Sequence, residues 1–379
     1  VAKLGIGVIG CGNISMTYMR NATLFPSVEL RACADLDGVL AQHRAAEHGI
    51  RALSVEDLLA SADVDLILNL TVPNAHFEVS LAALQAGKHV FTEKPFAVAA
   101  AQGRTLVAEA RRRTLAIGSA PDTFLGAAGR LARRLVDAGA IGRPVAGTAF
   151  MMGRGMEHWH PNPRFFYQPG GGPVLDMAPY YLTMLVSLLG PVARVTGIAA
   201  IGSPERLITA EGPYKNTTFT VGTPTTAMAV LAFASGAVVA LGMSWDVFRH
   251  SLAPIEIHGT DGSLSLPDPD TFGGEVALSE RGAAWRRMDT SGQLNGRINW
   301  PFDAPRLANY RMIGVADLAA ALAAGRPPRA SGELALHVLE VMEGILGSAE
   351  QGGIPVDLPP ASVQPAPLGE EEAASLHKA

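Results

Sequence analysis

The run Ile6-Gly7-Val8-Ile9-Gly10-Cys11-Gly12-Asn13-Ile14-Ser15 constrains this chain more than any other stretch. An apolar strand runs straight into a glycine turn, and a helix opens behind it. Such a turn lets the backbone approach a pyrophosphate, while the helix N-terminus offers free N–H groups and a favourable dipole. Ser15 stands where a third Gly or Ala is usual, so the glycines alone specify little. Their place at the head of the chain, directly after Leu4–Ile9, specifies more. A second strand, Val28–Ala34, ends in Asp35, a little past the usual interval of about 20 residues after the glycines. A carboxylate there hydrogen-bonds ribose hydroxyls and repels a 2′-phosphate, and no Arg or Lys follows before Arg44. The expected cofactor is NAD rather than NADP, held around Gly10, Gly12, Asn13, Ile14, Asp35 and Leu36.

At 379 residues the chain exceeds one ordinary domain, and two are expected. Hydrophobic residues make up 48% and charged ones 17%, enough to build a substantial core. The net charge of −5, with no basic cluster beyond Arg111-Arg112-Arg113 on a helix face, argues against a nucleic-acid partner. The two cysteines, Cys11 and Cys33, fall in or beside the first two strands and read as small buried hydrophobes. That usage suits a reducing compartment, so a cytoplasmic location is expected. No signal peptide is expected, because the glycine run begins almost at once. Ala227 to Trp245 is uncharged and near the length of a membrane span. Ser235-Gly236 in its middle makes it two strands joined by a tight turn instead, and no membrane partner is expected.

From residue 1 to 120, strands (Leu66–Thr71, His89–Phe91 and Leu115–Ile117 after the first two) alternate with helical stretches such as Val79–Ala86 and Ala99–Arg112. This rhythm implies an NAD-binding parallel sheet wound on both sides. Residues 121–360 read as an α+β domain for substrate binding and oligomerisation. A helix over Gly126–Ala138 leads into β-rich sequence from Val145 to about Thr290, interrupted by an apolar helix, Pro179–Leu189. Turn signals there predict a large, mainly antiparallel sheet, closed by helices Gly314–Ala324 and Glu333–Glu350 and a strand near Val356. Residues 361–379, rich in Pro, Ala and Glu, read as a flexible tail. The nearly unbroken apolar strands around Ala227–Trp245 need cover on both faces, and a second subunit would supply one of them. A homo-oligomer, dimer or tetramer, is expected.

Four constellations carry candidate chemistry. Thr71-Val72-Pro73-Asn74-Ala75-His76 and Glu93-Lys94-Pro95 each follow a parallel strand, at the ends where open α/β sheets bind ligands. Trp159-His160-Pro161-Asn162-Pro163-Arg164 precedes a glycine run, Gly170-Gly171-Gly172, that leads through Asp176 to Tyr180 and Tyr181. Oxidising a secondary alcohol needs a base for the hydroxyl proton while hydride leaves. Tyr, with a pKa near 10, is a poor base alone, and a neighbouring Lys⁺ stabilises its phenolate. Lys94 would do this for Tyr180. If the stretch is already helical, Asp176 shares a face with Tyr180 and anchors a substrate hydroxyl or orients Lys94. If Pro179 is the first helical residue, Asp176 lies just before the helix, as a cap. Tyr181 competes with Tyr180 for the role, and His76 is either a cofactor contact or a helix-start residue. Trp159 and Arg164 either line a sugar pocket or pin the loop. Glu157, His158 and His160 lack a spaced fourth ligand, so no metal is expected.

Together these motifs resemble the glucose–fructose oxidoreductase and inositol dehydrogenase (Gfo/Idh/MocA) family over nearly the whole chain. Glu93-Lys94-Pro95 matches that family's most specific short mark unchanged. Its second mark, Asp-x-Gly-x-His, reads Asp176-Met177-Ala178-Pro179-Tyr180 here, and Tyr in place of His is similar to the glucose–fructose oxidoreductase branch. The resemblance implies an N-terminal Rossmann parallel sheet and a C-terminal α+β domain. It also implies NAD-dependent hydride transfer to or from a sugar, polyol or cyclic alcohol, with catalysis at Lys94, Tyr180 and Asp176. Thr71, Pro73, Asn74, His76, Glu93 and Lys94 would join the cofactor site. Lys94, Trp159, Arg164, Asp176 and Tyr180 would meet substrate. A redox-neutral NAD-dependent glycosidase or epimerase-like enzyme with tightly held cofactor is the alternative.

Overall fold

Short apolar runs alternating with Ala-rich helices build the first half of the computed structural model, which describes residues 3–377. Its elements are β1 (Leu4–Ile9), α1 (Asn13–Asn21), β2 (Val28–Ala34), α2 (Gly38–His48), β3 (Arg51–Ala52), α3 (Val55–Ala60), β4 (Leu66–Asn69), α4 (His76–Gln85), β5 (His89–Thr92), α5 (Ala100–Arg113) and β6 (Ile117–Ser119). The strands form one six-stranded sheet in the order β3-β2-β1-β4-β5-β6, every pair parallel. Strand order reverses between β1 and β4, so a crevice opens at their carboxyl ends. β3, only two exposed residues, carries no periodicity and was not expected from sequence.

The second half begins with α6 (Ala127–Asp137), β7 (Pro144–Met152) and α7 (Pro173–Leu189). There follow β8 (Val192–Ala200), β9 (Glu205–Leu207), β10 (Thr218–Thr220), β11 (Thr226–Phe233), β12 (Val238–Ser244), β13 (Ile255–Gly259), β14 (Gly262–Leu266), β15 (Glu275–Glu280) and β16 (Arg286–Asp289). The chain closes with α8 (Ile313–Ala324), α9 (Gly332–Glu350), β17 (Val356–Asp357) and α10 (Glu370–Ser375). Nine strands form a sheet in the order β16-β15-β14-β13-β7-β12-β11-β8-β17, antiparallel except where β12 runs alongside β7. The uncharged stretch after Thr226 is the β11–β12 hairpin. No helix among the described residues is long and apolar enough to cross a membrane.

Helices α7 and α9 pack on one face of this sheet. Among the described residues no helix covers the other face: along β11 buried and exposed residues alternate, and Met228 and Val230 remain nearly half exposed. α7 starts at Pro173, earlier than the expected Pro179, because Pro173 takes the first helical position behind Gly172. Gly172 has φ +91°, and a Cβ there would stand 2.9 Å from the Pro224 carbonyl oxygen. Pro179 lies inside the helix, lacks the N–H that would bond the Leu175 carbonyl, and is buried.

The expected flexible tail, 361–379, needs correction over its described residues. It is docked, with Leu368, Ala373 and Leu376 buried. Glu370 pairs with Arg130 and Arg134, and Glu372 pairs with Arg326 and Arg329. An acidic run that reads as solvated in sequence meets arginines brought together only by the fold.

Candidate active site

The turn after β1 is shaped by crowding below and open space above. Gly10 adopts φ +99°, and a Cβ there would stand 2.6 Å from the Leu70 carbonyl; one on Gly12 would meet nothing within 4 Å. α1 has no side-chain cap at its start, which leaves the N–H groups of Asn13 and Ile14 free for a pyrophosphate. Ser15 fits the third glycine's place by turning its buried hydroxyl back onto the Gly12 carbonyl, at 2.6 Å. The Asp35 carboxylate accepts from the backbone N–H of Cys11 (2.7 Å) and of Asp37 (2.9 Å), so it is locked at the mouth of β2. Arg44 donates to the Cys11 carbonyl and pairs with Glu47 at 2.6 Å, so this guanidinium is committed elsewhere than to a 2′-phosphate. Leu36 stands fully exposed at the rim. An open glycine turn, a free helix N-terminus and an anchored carboxylate fit NAD.

Beyond β4, the Asn69 amide oxygen accepts from the Thr71 N–H (3.2 Å) and hydroxyl (2.7 Å), and its nitrogen donates to the His76 carbonyl (3.0 Å). This holds Pro73 and Asn74 out on the lip of a cleft. His76 is fully buried, its ring nitrogens 2.7 Å from the Pro95 carbonyl and 3.0 Å from that of Thr71. Burial holds its pKa below the usual histidine value. Offered by the sequence as a cofactor contact or a helix-start residue, it opens α4 and braces two loops against each other. Glu93 does the same for the next residue: one carboxylate oxygen accepts from the Tyr18 hydroxyl and the other from the Lys94 N–H, both at 2.8 Å.

Lys94 reaches across to α7 and donates from Nζ to both the side chain and the carbonyl of Asp176, each at 2.8 Å. Burial works against its charge, but Asp176, Tyr180 and Glu93 outweigh this and hold its pKa above the usual lysine value. Lys94 meets Tyr180 at the ring face, 5.2 Å from the centroid, rather than at the hydroxyl. The Tyr180 hydroxyl accepts from Arg311, at 3.2 Å, and Arg311 pairs with Asp270 at 2.6 Å. Burial, with Asp270, pushes the phenol pKa up; Lys94 and Arg311 pull against this without reversing it. Burial, with Asp268 and Asp270 nearby, pushes the Tyr181 phenol pKa up. Sequence reasoning missed Arg311, whose sole signal is a lone cation in the apolar run before α8.

The cleft, about 430 Å³, is lined by Pro73, Asn74, Lys94 and Asp176, and by Phe165 and Phe166. Neither phenylalanine was foreseen, although they are an apolar pair in a polar, Pro-rich loop. Trp159 and Arg164, proposed from sequence for the substrate, do not line this cleft. Arg164 donates to Thr217 and stacks on Tyr214, pinning its loop, and Trp159 lines a neighbouring groove. Glu157 is taken by Arg206 and Tyr167, and His160 accepts from the Asn162 N–H at 3.1 Å.

Residues 4–119 match the family model described as oxidoreductase family, NAD-binding Rossmann fold, and residues 130–265 match that of the GFO/IDH/MocA C-terminal domain. The chain belongs to the GFO/IDH/MocA oxidoreductases. It is an NAD-binding oxidoreductase of that family, in keeping with the anchored Asp35. Among curated relatives, a 1,5-anhydro-D-fructose reductase from Ensifer adhaerens is 28% identical over 267 residues, covering 68% of this chain and 74% of its own. A levoglucosan dehydrogenase from Pseudarthrobacter phenanthrenivorans is 25% identical over 288 residues, covering 69% of this chain and 73% of its own. The fold is shared with an NAD-binding oxidoreductase from Klebsiella pneumoniae, at TM-score 0.82 and 24% identity over 95% of this chain and all of that one.

Proposed function

We propose that this oxidoreductase interconverts a secondary alcohol and a ketone on a sugar, polyol or cyclic alcohol, using Lys94, Asp176 and Tyr180. The carrying observation is the Lys94–Asp176 pair, which spans the cleft between the parallel-sheet half (residues 1–120) and the second half (121–360). NAD, bound at the β1–β4 crevice, would supply the hydride acceptor; Gly10, Gly12, Asn13, Ile14, Asp35, Thr71, Pro73 and Asn74 would hold it, while His76 and Glu93 fix the loops from behind. Asp176 aims the Lys94 ammonium, which donates a hydrogen bond to the substrate oxygen. In the oxidative direction the hydroxyl proton passes to Lys94 in its unprotonated form, whose share grows as pH rises, while the C–H hydride departs and the ketone forms. In reverse, Lys94 returns the proton to the carbonyl oxygen. Tyr180, held by Arg311, presents its ring face to Lys94 and steadies the ammonium, and the proton that Lys94 takes passes on to solvent. Relatives named as an anhydrofructose reductase, a levoglucosan dehydrogenase and inositol 2-dehydrogenases support a sugar-like substrate. The bare sheet face supports a homo-oligomer, and two unpaired buried thiols are consistent with a cytoplasmic setting.

The test is absorbance at 340 nm with NAD, and separately NADP, against aldoses, inositols, sugar acids and glycosides. NADH formation with one class and a preference for NAD is the expected result. Silence throughout, with NAD released on denaturation, would replace it with the redox-neutral reading.

A further inference from the structure

β7 and β12 run parallel and end side by side, at Met152 and Ser244, and their loops diverge to leave a groove of about 550 Å³. Met177, the residue after Asp176 on α7, forms part of its wall, so the groove adjoins the site that holds Lys94. Its charged lining is of one sign: Arg154 and Arg249 face it beside His158 and His250, and no carboxylate does. The nearest acids are turned away. Glu157 and Asp246, on the same two loops, both pair with Arg206. Among the described residues neither Arg154 nor Arg249 has an ion-pair partner, and Arg154 is stacked 5.0 Å over the Phe248 ring. Two uncompensated guanidiniums in one concavity raise the local positive potential and offer forked donors to an oxyanion.

The remaining lining is apolar, with methionines beside three aromatic side chains. Trp159 and Phe248 expose 57% and 80% of their surfaces, faces on which a sugar ring can lie. Trp245 lines the floor almost fully buried, and its indole N–H has no hydrogen-bond partner, a donor in want of an acceptor.

Resting on the dehydrogenase reading above, we propose that the substrate is an anionic sugar, its carboxylate or phosphate held by Arg154 and Arg249 while its reacting carbon lies at Lys94. The sugar ring spans from the aromatic groove past Met177 to the Lys94–Asp176 pair. Carboxylate and phosphate present the same chemistry to a guanidinium, so the experiment must separate them.

Equilibrium binding is read first, by quenching of tryptophan fluorescence in the full-length protein, with gluconate, glucuronate, glucose 6-phosphate, glucose and myo-inositol. At least one anionic sugar should bind tenfold or more tighter than glucose, with affinity falling as salt rises. Arg154→Gln and Arg249→Gln should each weaken that binding tenfold or more. Arg286→Gln, which removes the same charge from a remote strand, controls for net charge. Tight binding of the acids alone, or of the phosphate alone, assigns the oxyanion. Equal binding of glucose and the anionic sugars, or unaltered binding in both groove variants, overturns the proposal. The same ligands are then scored for NADH formation. Anionic sugars that bind through Arg154 and Arg249 but yield no NADH leave the subsite standing and remove the dehydrogenase reading. NADH from neutral sugars alone does the reverse.

Discussion

Lys94 owes its position to neighbours that perform no chemistry themselves. Glu93 holds its backbone, His76 braces Pro95, and Asp176 takes its ammonium. Removing the amine should therefore erase proton handling while leaving the glycine turn intact. Lys94→Ala should cut kcat by about 10³-fold or more, with NAD affinity within about tenfold by equilibrium titration. Full turnover in that variant would remove the mechanism. The raised pKa values of Lys94 and Tyr180 keep both groups protonated at neutral pH. Oxidation, which must place a proton on the site, should accelerate as pH rises from 7 to 10, and ketone reduction should slow over the same range. Tyr180→Phe removes only the hydroxyl that Arg311 holds. A drop in kcat of about 10²-fold at little change in KM would mark the phenol as part of proton transfer. A change under threefold would reduce it to a partner for Arg311. At the ribose site, Asp35→Ala should weaken NAD and relax the rejection of NADP; unchanged cofactor preference would displace the ribose contact from Asp35.

Elements with a strong local pattern were legible in the sequence. β1 carries the residues expected, because a strand buried on both faces reads as an unbroken apolar run, whereas β2 is interrupted by Glu29 and Arg31 and was read from its apolar end before Asp35. The start of α7 was not read correctly, since two prolines competed for its first position and only the crowding of Gly172 against Pro224 settles which begins it. Arg311 and the tail's arginine contacts were illegible for another reason: each depends on a partner more than forty residues away. The packing of α9 against β8 makes a further prediction. His337 on α9 accepts the Val192 N–H through Nε2 (3.0 Å) and has no partner for Nδ1, and burial depresses its pKa to about 4. The unfolded chain binds a proton there near pH 6.5, the native one only near 4, so stability falls as pH drops through that window. By pH 4.5 the loss should be about 2–3 kcal/mol. Buried Asp122, its pKa raised to about 6, works with the opposite sign. The comparison is therefore with His337→Gln, whose amide oxygen keeps the Val192 contact. Its urea midpoint should vary less between pH 7 and 4.5 than that of the unmodified protein. An equal slope would show that His337 titrates normally.

At the scale of the whole molecule, helices of the described residues cover the nine-stranded sheet on one face only. In register, Ile198 on β8 stands opposite Met228 on β11, so their side chains share a face and are 58% and 45% exposed. Val230, two residues along β11, is 43% exposed, and Val238 at the start of β12 is 46% exposed. Polar residues at these alternate positions would suit a face turned to water. Aliphatic ones form instead a contiguous apolar stripe that a second copy of the same face would cover. Met228 and Val230 point away from α7, so a charge there would leave the active-site side of the sheet undisturbed. Light scattering at micromolar concentration should give a mass of at least twice the 39.6 kDa protomer. Val230→Glu, which buries an unpaired carboxylate on association, should shift that mass toward the protomer value without lowering the thermal transition of an isolated fold. A monomer in the unmodified protein would instead show that this apolar face is tolerated in water, and the oligomer expectation would fall with it.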